Sequence, residues 1–369
     1  MKKLHASYVY DNPIPQLRSR QSAFVQCIEL PDGRLLATHV LGEAFESADQ
    51  TAYISESTDG GRTWSPSWQA FPVRKGKDGI PESGGGKLTY LPDGRLLMFG
   101  YKMQRPDPDL PVASQVTGGV LKDKVFYCIS EDGGHTWSED VEIPTTWTAS
   151  TEASAPLYIL QDGSWATPIS GFPTWDGTMV SRLCGRLLRS YDNGQTWNDD
   201  TVCLEFPGNT VTCYEQRMCQ LADGTLVVIG WNEDTKTGER LHNHVAFSFD
   251  NGKTFSAPVD TGIQGQASSI MALEGTRVLS LHALRRDTDE PGIYACIADV
   301  AGGQWKQESF ERIWTPVVPM TKDNRFAEIF SFLKFGQPAA IRLRDGNLLM
   351  YHWVCEEGCY KSCATLYSL

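Results

Sequence analysis

The chain has 369 residues, 41% of them hydrophobic and 21% charged, a balance that fits a globular protein and excludes a disordered one. Thirty-three basic against 45 acidic side chains leave a formal net charge of −12. That speaks against a nucleic-acid binder, which carries a basic face, and against polybasic docking on anionic membranes. No apolar run approaches the roughly 18 residues that a spanning helix requires.

In chain order, the first segment, MKKLHASYVYDNPIPQ, has two lysines but no apolar stretch behind them, so it does not read as a secretory signal. The 10 cysteines are scattered among apolar neighbours rather than set in a dense framework. They read as reduced, buried small hydrophobes, and the expectation is a cytoplasmic protein. Cys355, Cys359 and Cys363 lie four apart, wider than the usual zinc-binding pair, so core packing is favoured over metal.

A motif then recurs six times: an apolar run, an acidic-Gly pair, and a second apolar run. The copies are CIELPDGRLLATHV, LTYLPDGRLLMFGY, LYILQDGSWATPI, MCQLADGTLVVIGW, SIMALEGTRVLSLH and AIRLRDGNLLMYHW. Asp-Gly between apolar stretches signals a β-hairpin, because Gly takes the positive φ of the turn without penalty. The turn acids Asp32, Asp93, Asp162, Asp223, Glu274 and Asp345 are 61, 69, 61, 51 and 71 residues apart. Each interval holds about four short strands with loops, the size of a propeller blade.

Four copies are followed by a second element: SESTDGGRTW, CISEDGGHTW, RSYDNGQTW and FSFDNGKTF. The shared pattern, S-x-D-x-G-x-T-aromatic, suits a tight turn between outer strands. The carboxylate accepts backbone N–H groups, Gly takes the strained dihedral, and the aromatic anchors the turn. These aspartates therefore read as structural. The fifth copy is degenerate, and the sixth ends in CATLYSL, so the strand around His5–Tyr10 is expected to complete the last blade.

Strands in a blade alternate in direction, which puts these turns on one face. The opposite face collects the starts of the inner strands, Arg20, Glu82, Glu152, Glu215, Gln266 and Gln337, expected to line a confined funnel. Loops expected beside them carry Glu43, Glu46, Asp49, Arg105, Trp175, Arg182, Trp231, Arg240, His242, His244, Arg285 and Arg286. Acids for proton transfer, guanidiniums for an anionic group and aromatics for stacking are what a carbohydrate site needs. His242, His244 and His282 are read as structural rather than as a metal site. Ser83-Gly-Gly-Gly-Lys87 lacks phosphate-loop spacing, and Gly84–Gly86 are read as clearance beside a central channel. No cofactor and no metal are expected.

The S-x-D-x-G-x-T-W pattern is that of the Asp box, and six such blades resemble the sialidase (neuraminidase) superfamily across nearly the whole chain. The resemblance implies an all-β, six-bladed β-propeller with four antiparallel strands per blade, residues 1–369 forming a single domain. It implies an exo-acting glycoside hydrolase on a terminal sugar such as sialic acid or a related acidic sugar, with a carbohydrate or glycoconjugate as partner. In that family three arginines clamp the substrate carboxylate, an Asp is the acid/base, and a Tyr paired with a Glu is the nucleophile. Asp49, eight residues before Ser57, resembles the acid/base, and Glu215, eight before Asp223, resembles the Glu. Arg20, with Arg18 as rival, resembles the first arginine, and Arg285 or Arg286 the third.

Two positions depart from the pattern. Trp231 stands where the second arginine belongs, and Gln337 where the nucleophilic Tyr belongs. Tyr214, Tyr294 and Tyr351 are the substitutes, with Tyr214 expected on the far side of its strand from Glu215. Three readings follow. In the first, carboxylates among Asp49, Glu82, Glu152 and Glu215 do the chemistry, with Trp231 or Trp175 stacking on the sugar. In the second the family mechanism operates and the alignment of two blades has slipped. The third is a non-catalytic glycan-binding propeller.

Overall fold

The computed structural model describes residues 1–147, 150–286, 288–317 and 333–369. The protein is all-β, a six-bladed β-propeller with antiparallel blades, and its only helical element among the described residues is the short turn Ala301–Gly303. Two compact units divide the chain, Met1–Ile143 with Trp175–Gly177 and Pro316–Leu369, and Pro144–Thr174 with Thr178–Thr315.

The first unit holds blades one, two and six. Blade one runs Gln21–Glu29, Leu35–Gly42, Thr51–Ser57 and Trp68–Gln69. Blade two runs Pro81–Tyr90, Leu96–Gln104, Asp123–Ser130 and Val141–Glu142, with Arg74–Lys75 as a fifth strand beside the first. Blade six takes Phe335–Arg342, Leu348–Glu356 and Cys359–Ser368 from the end of the chain and Lys2–Tyr10 from its start. The expected closure by the N-terminal strand is thus observed. That strand is also fastened to blade one, where Ser7 Oγ donates to the Gly61 carbonyl at 2.7 Å and accepts from Trp64 Nε1 at 3.1 Å.

The second unit holds blades three to five. Blade four runs Tyr214–Gln220, Leu226–Trp231, His244–Ser248 and Val259–Asp260. Blade five runs Ser268–Ala272, Arg277–Leu284, Gly292–Asp299 and Lys306–Trp314. In blade three the inner strand is broken into Thr151–Glu152 and Tyr158–Ile159, both pairing with Trp165–Gly171. Pro156 in the gap has no N–H for the ladder, and its carbonyl accepts from Thr167 Oγ1 at 2.9 Å.

Apolar clusters fill the spaces between neighbouring blades. Leu36, Ile54, Leu88, Met98 and Phe126 join blades one and two. Val227, Ile229, Phe247, Ile270 and Val278 do the same for blades four and five. The second strand Leu35–Gly42 is buried throughout, whereas the outer strands Lys2–Tyr10 and Lys306–Trp314 are largely exposed. Gly85 and Gly86 leave no room for a side chain. A Cβ on Gly86 would lie 2.6 Å from the Phe99 carbonyl oxygen, and one on Gly85 would lie 3.0 Å from Val40 Cγ1. All 10 cysteines are free thiols, and all but the half-buried Cys359 are buried.

The hairpin turns form as the Asp-Gly pairs predict: Leu30 accepts from the Gly33 N–H at 2.9 Å, and Gly33 takes φ +86°. The S-x-D-x-G-x-T turns are built identically. In the first, Asp59 accepts from Ser57 Oγ at 2.8 Å, the Thr63 N–H at 2.9 Å and Thr63 Oγ1 at 2.6 Å. Asp132, Asp192 and Asp250 repeat that set. For Asp132, Asp192 and Asp250 the threonine hydroxyl is the strongest influence holding the carboxyl down to about 2. Asp59 reaches about 2 as well, its hydrogen bonds outweighing the desolvation that opposes them. The folded value lies below the unfolded one of about 4, so the stabilisation is full above pH 4 and is lost as pH falls toward 2. Asp59→Ala is expected to lower the melting temperature by roughly 3–6 °C at pH 7. The difference from wild type should shrink when melting is repeated near pH 2. An equal deficit at both pH values would sink this account.

Candidate active site

The inner strands begin where the sequence places them, but they begin irregularly. The ladder between first and second strands is interrupted between Ala23 and Gln26, between Tyr214 and Arg217, and between Gly336 and Ala339. Within those bulges Phe24, Glu215 and Gln337 take φ of +57°, +44° and +48°. Positive φ at residues with a Cβ is uncommon and concentrates at functional sites. A bulge also re-aims the side chains that follow it.

In the second unit, blades three, four and five bring several candidates together. Glu152 is fully buried, its exposure 2%. Its Oε1 accepts the Ser154 N–H at 3.0 Å and its Oε2 the Glu215 N–H at 3.1 Å. The Glu215 carboxylate accepts from the Trp231 indole at 2.8 Å. Arg217, also buried, donates to Ser154 Oγ at 2.9 Å. Burial raises the Glu152 carboxyl above the usual carboxylate range, Arg217 opposes the rise, and Glu215 adds to it.

Trp231 also forms one wall of a pocket that opens to solvent, and Arg240, Gln264, Gln266, Arg285 and Arg286 line much of the remainder. Burial brings the Arg286 guanidinium down to about 10, neighbouring Arg240 adds to the fall, and Glu233 opposes it. Burial likewise lowers Arg240, against the pull of Glu233. Cations held close together out of water are costly, and an anion entering among them offsets that cost. Arg286 Nη1 donates to Gln266 Oε1 at 3.5 Å.

Of the tyrosines weighed as nucleophiles, Tyr351 is buried in the core beside Cys27 and Leu35. Tyr294 stacks on Phe310 and donates its hydroxyl to the Glu290 carbonyl. Tyr214 pairs across the ladder with Trp231, and its ring packs 5.2 Å from Trp231 and 5.5 Å from Phe172. Burial, then Glu233, raises its hydroxyl, which disfavours the phenolate.

Asp49, Glu82, Arg20, Trp175 and Gln337 belong to the first unit. Asp49 is exposed in the loop after Leu35–Gly42, and its Oδ1 accepts the Glu43 N–H at 3.0 Å. Arg105 holds the same loop by donating to the Glu46 carbonyl at 2.9 Å. Arg20 immediately precedes Gln21–Glu29 and interacts electrostatically with Tyr10. The Trp175 carbonyl accepts from Thr117 Oγ1 at 2.7 Å.

Glu82 differs from a free acid. It lies 2.5 Å from Lys124, which also meets Asp140 at 3.2 Å, and Asp140 in turn pairs with Arg74 and with Lys102 at 2.7 Å. Glu82→Gln is expected to lower stability by about 2 kcal/mol, because Lys124 loses one of its two carboxylate partners in a buried network. Urea unfolding checks this; a midpoint equal to wild type would contradict it.

His282 is held by Ser268 Oγ at 2.9 Å and Ser280 Oγ at 2.8 Å, and His242 by Asp260 at 3.0 Å. No group of His, Cys, Asp and Glu suited to a metal ion occurs among the described residues. Arg217 and Glu233 escaped the reading of the sequence. An arginine interrupting the apolar run of an inner strand was the available signal for Arg217.

Fold and repeat pattern together define a six-bladed β-propeller built of BNR-type repeats. The chain belongs to the BNR repeat-like domain family, whose pattern matches residues 88–283, more than half of its length. Among solved structures it is similar to a protein of unknown function from Dyadobacter fermentans, with TM-score 0.74 and 19% identity over 99% of this chain and 98% of that one. It is also similar to a Hadza microbial sialidase, with TM-score 0.68 and 16% identity over 99% and 68%. A Penicillium chrysogenum α-L-arabinanase complexed with arabinobiose gives TM-score 0.64 and 15% identity over 100% and 99%. Identities this low establish the fold alone. No curated protein matches the chain. No helix among the described residues is long and apolar enough to cross a membrane.

Proposed function

We propose that the protein is a glycoside hydrolase acting on a terminal sugar that carries an anionic group. One observation carries the reading. Trp231 forms the wall of a pocket holding Arg240, Arg285 and Arg286, and the same indole is hydrogen-bonded to the Glu215 carboxylate. An anion among the guanidiniums places its sugar against Trp231 and within reach of a carboxylate, which serves as base or nucleophile. Arg240 takes the part the resemblance assigns to an arginine at position 231. The fold is shared with proteins named as sialidase and arabinanase, which supports a glycan as partner. Asp49 keeps the acid/base role that the resemblance implies, with Arg20 as an anion holder and Trp175 and Gln337 as substrate contacts.

The test is hydrolysis of a fluorogenic aryl sialoside beside aryl uronides and neutral aryl glycosides, arabinofuranosides included, with Glu215→Gln and Asp49→Ala as controls. Turnover of an acidic glycoside that both variants lose supports the reading. Turnover confined to neutral sugars overturns the anionic substrate class. Binding of an acidic glycan without turnover favours the glycan-binding alternative.

A further inference from the structure

We propose that Glu152 is a positioning residue that holds the backbone of Glu215 in its left-handed conformation and thereby aims the Glu215 carboxylate at Trp231. The inference rests on the reading of Glu215 as the reacting carboxylate. Glu215 sits at φ +44° inside the bulge between Tyr214 and Arg217, where the ladder to Leu226–Trp231 is interrupted. A residue with a Cβ occupies that conformation only when its surroundings enforce it. Its N–H needs an acceptor outside the ladder, and Glu152 Oε2, from the neighbouring blade, supplies one at 3.1 Å.

The remaining contacts show that Glu152 holds rather than reacts. Its Oε1 accepts the Ser154 N–H at 3.0 Å, so each oxygen already receives a backbone donor. At 2% exposure neither oxygen reaches solvent. With its backbone so fixed, Glu215 extends to the Trp231 indole at 2.8 Å, on the wall of the arginine pocket. The titratable and charged groups around Glu152 are Arg217, Glu215 and the Tyr214 hydroxyl. Arg217, anchored on Ser154 Oγ at 2.9 Å, opposes the rise that burial imposes on the carboxyl. Protonation places an O–H opposite an N–H and loosens Glu215, so the arrangement weakens as pH falls through the raised value.

The experiment uses full-length protein with ¹⁵N-labelled tryptophan, the Trp231 indole resonance being assigned by its loss in Trp231→Phe. In wild type that resonance is expected to titrate with one acidic transition. Glu152→Gln keeps the volume but replaces one acceptor by a donor. It should shift the indole resonance at neutral pH and lower kcat by roughly 10–100-fold with KM nearly unchanged. Ser154→Ala keeps the backbone N–H but removes one of the two hydrogen bonds that hold the Arg217 guanidinium, the other going to the Gln216 carbonyl at 2.8 Å, and should move the transition and the acid limb of the kcat profile to higher pH. An indole resonance unmoved in a folded Glu152→Gln protein overturns the proposal. If Glu152→Gln does not fold, a flat wild-type titration or an unshifted transition in Ser154→Ala overturns it instead. Failure of the hydrolase reading looks different: no turnover by wild type on any sugar, with the resonance changes intact.

Discussion

Glu215→Gln is expected to lower kcat on an acidic aryl glycoside by at least ~10²-fold while changing KM by no more than about threefold. The amide matches the carboxylate in volume, so Arg240, Arg285 and Arg286 still meet the substrate anion. The substitution removes a negative charge that can accept a proton or attack the anomeric carbon. Its oxygen can still accept from the Trp231 indole, as the carboxylate does at 2.8 Å, so the pocket wall should stay in place. Steady-state kinetics at neutral pH checks the split between kcat and KM. A kcat within threefold of wild type would remove Glu215 from the chemistry and shift attention to Asp49.

Arg286→Met is expected to raise KM for an acidic glycoside by roughly 10–100-fold, the loss of one charge-assisted hydrogen bond. A neutral analogue of the same sugar should be affected far less. Arg286 is the arginine for which the two opposing influences are both visible: Arg240 beside it and Glu233 against it. Removing it also relieves repulsion on Arg240, so the variant should be no less stable than wild type even as it binds worse. Paired measurements on acidic and neutral substrates, with thermal melting alongside, separate these effects. Equal losses on both substrates would show that Arg286 shapes the pocket rather than holding an anion.

The architecture was legible because its signals are local. An Asp-Gly hairpin turn and the bonds from Asp59 to Ser57 and Thr63 each close within a few residues. Type and spacing of residues therefore specify them wherever the segment lies, and six repeats of one unit specify blades. The inner-strand starts were found the same way, by counting back from the turns, and Glu152 and Glu215 emerged as candidates on that count.

What those residues do was decided by neighbours distant in sequence. The Glu152 contact with Glu215 spans 63 residues, and the Glu82 partner Lys124 lies 42 positions away in the third strand of its blade. Identical carboxylates thus separate into one braced on a backbone, one facing an indole and one locked in an ion network. Desolvation and nearby charge set those roles, and neither is written in a residue's own identity. Tyr214 faces Trp231 as its partner across the ladder, and the bulge that follows lets the adjacent Glu215 reach the same indole. The sequence by itself determined the blades, their turns and the acids at their inner ends. Only the tertiary structure decided which acid is buried, which is aimed and which arginines share a pocket, since burial and electrostatic pairing exist only once the blades have packed.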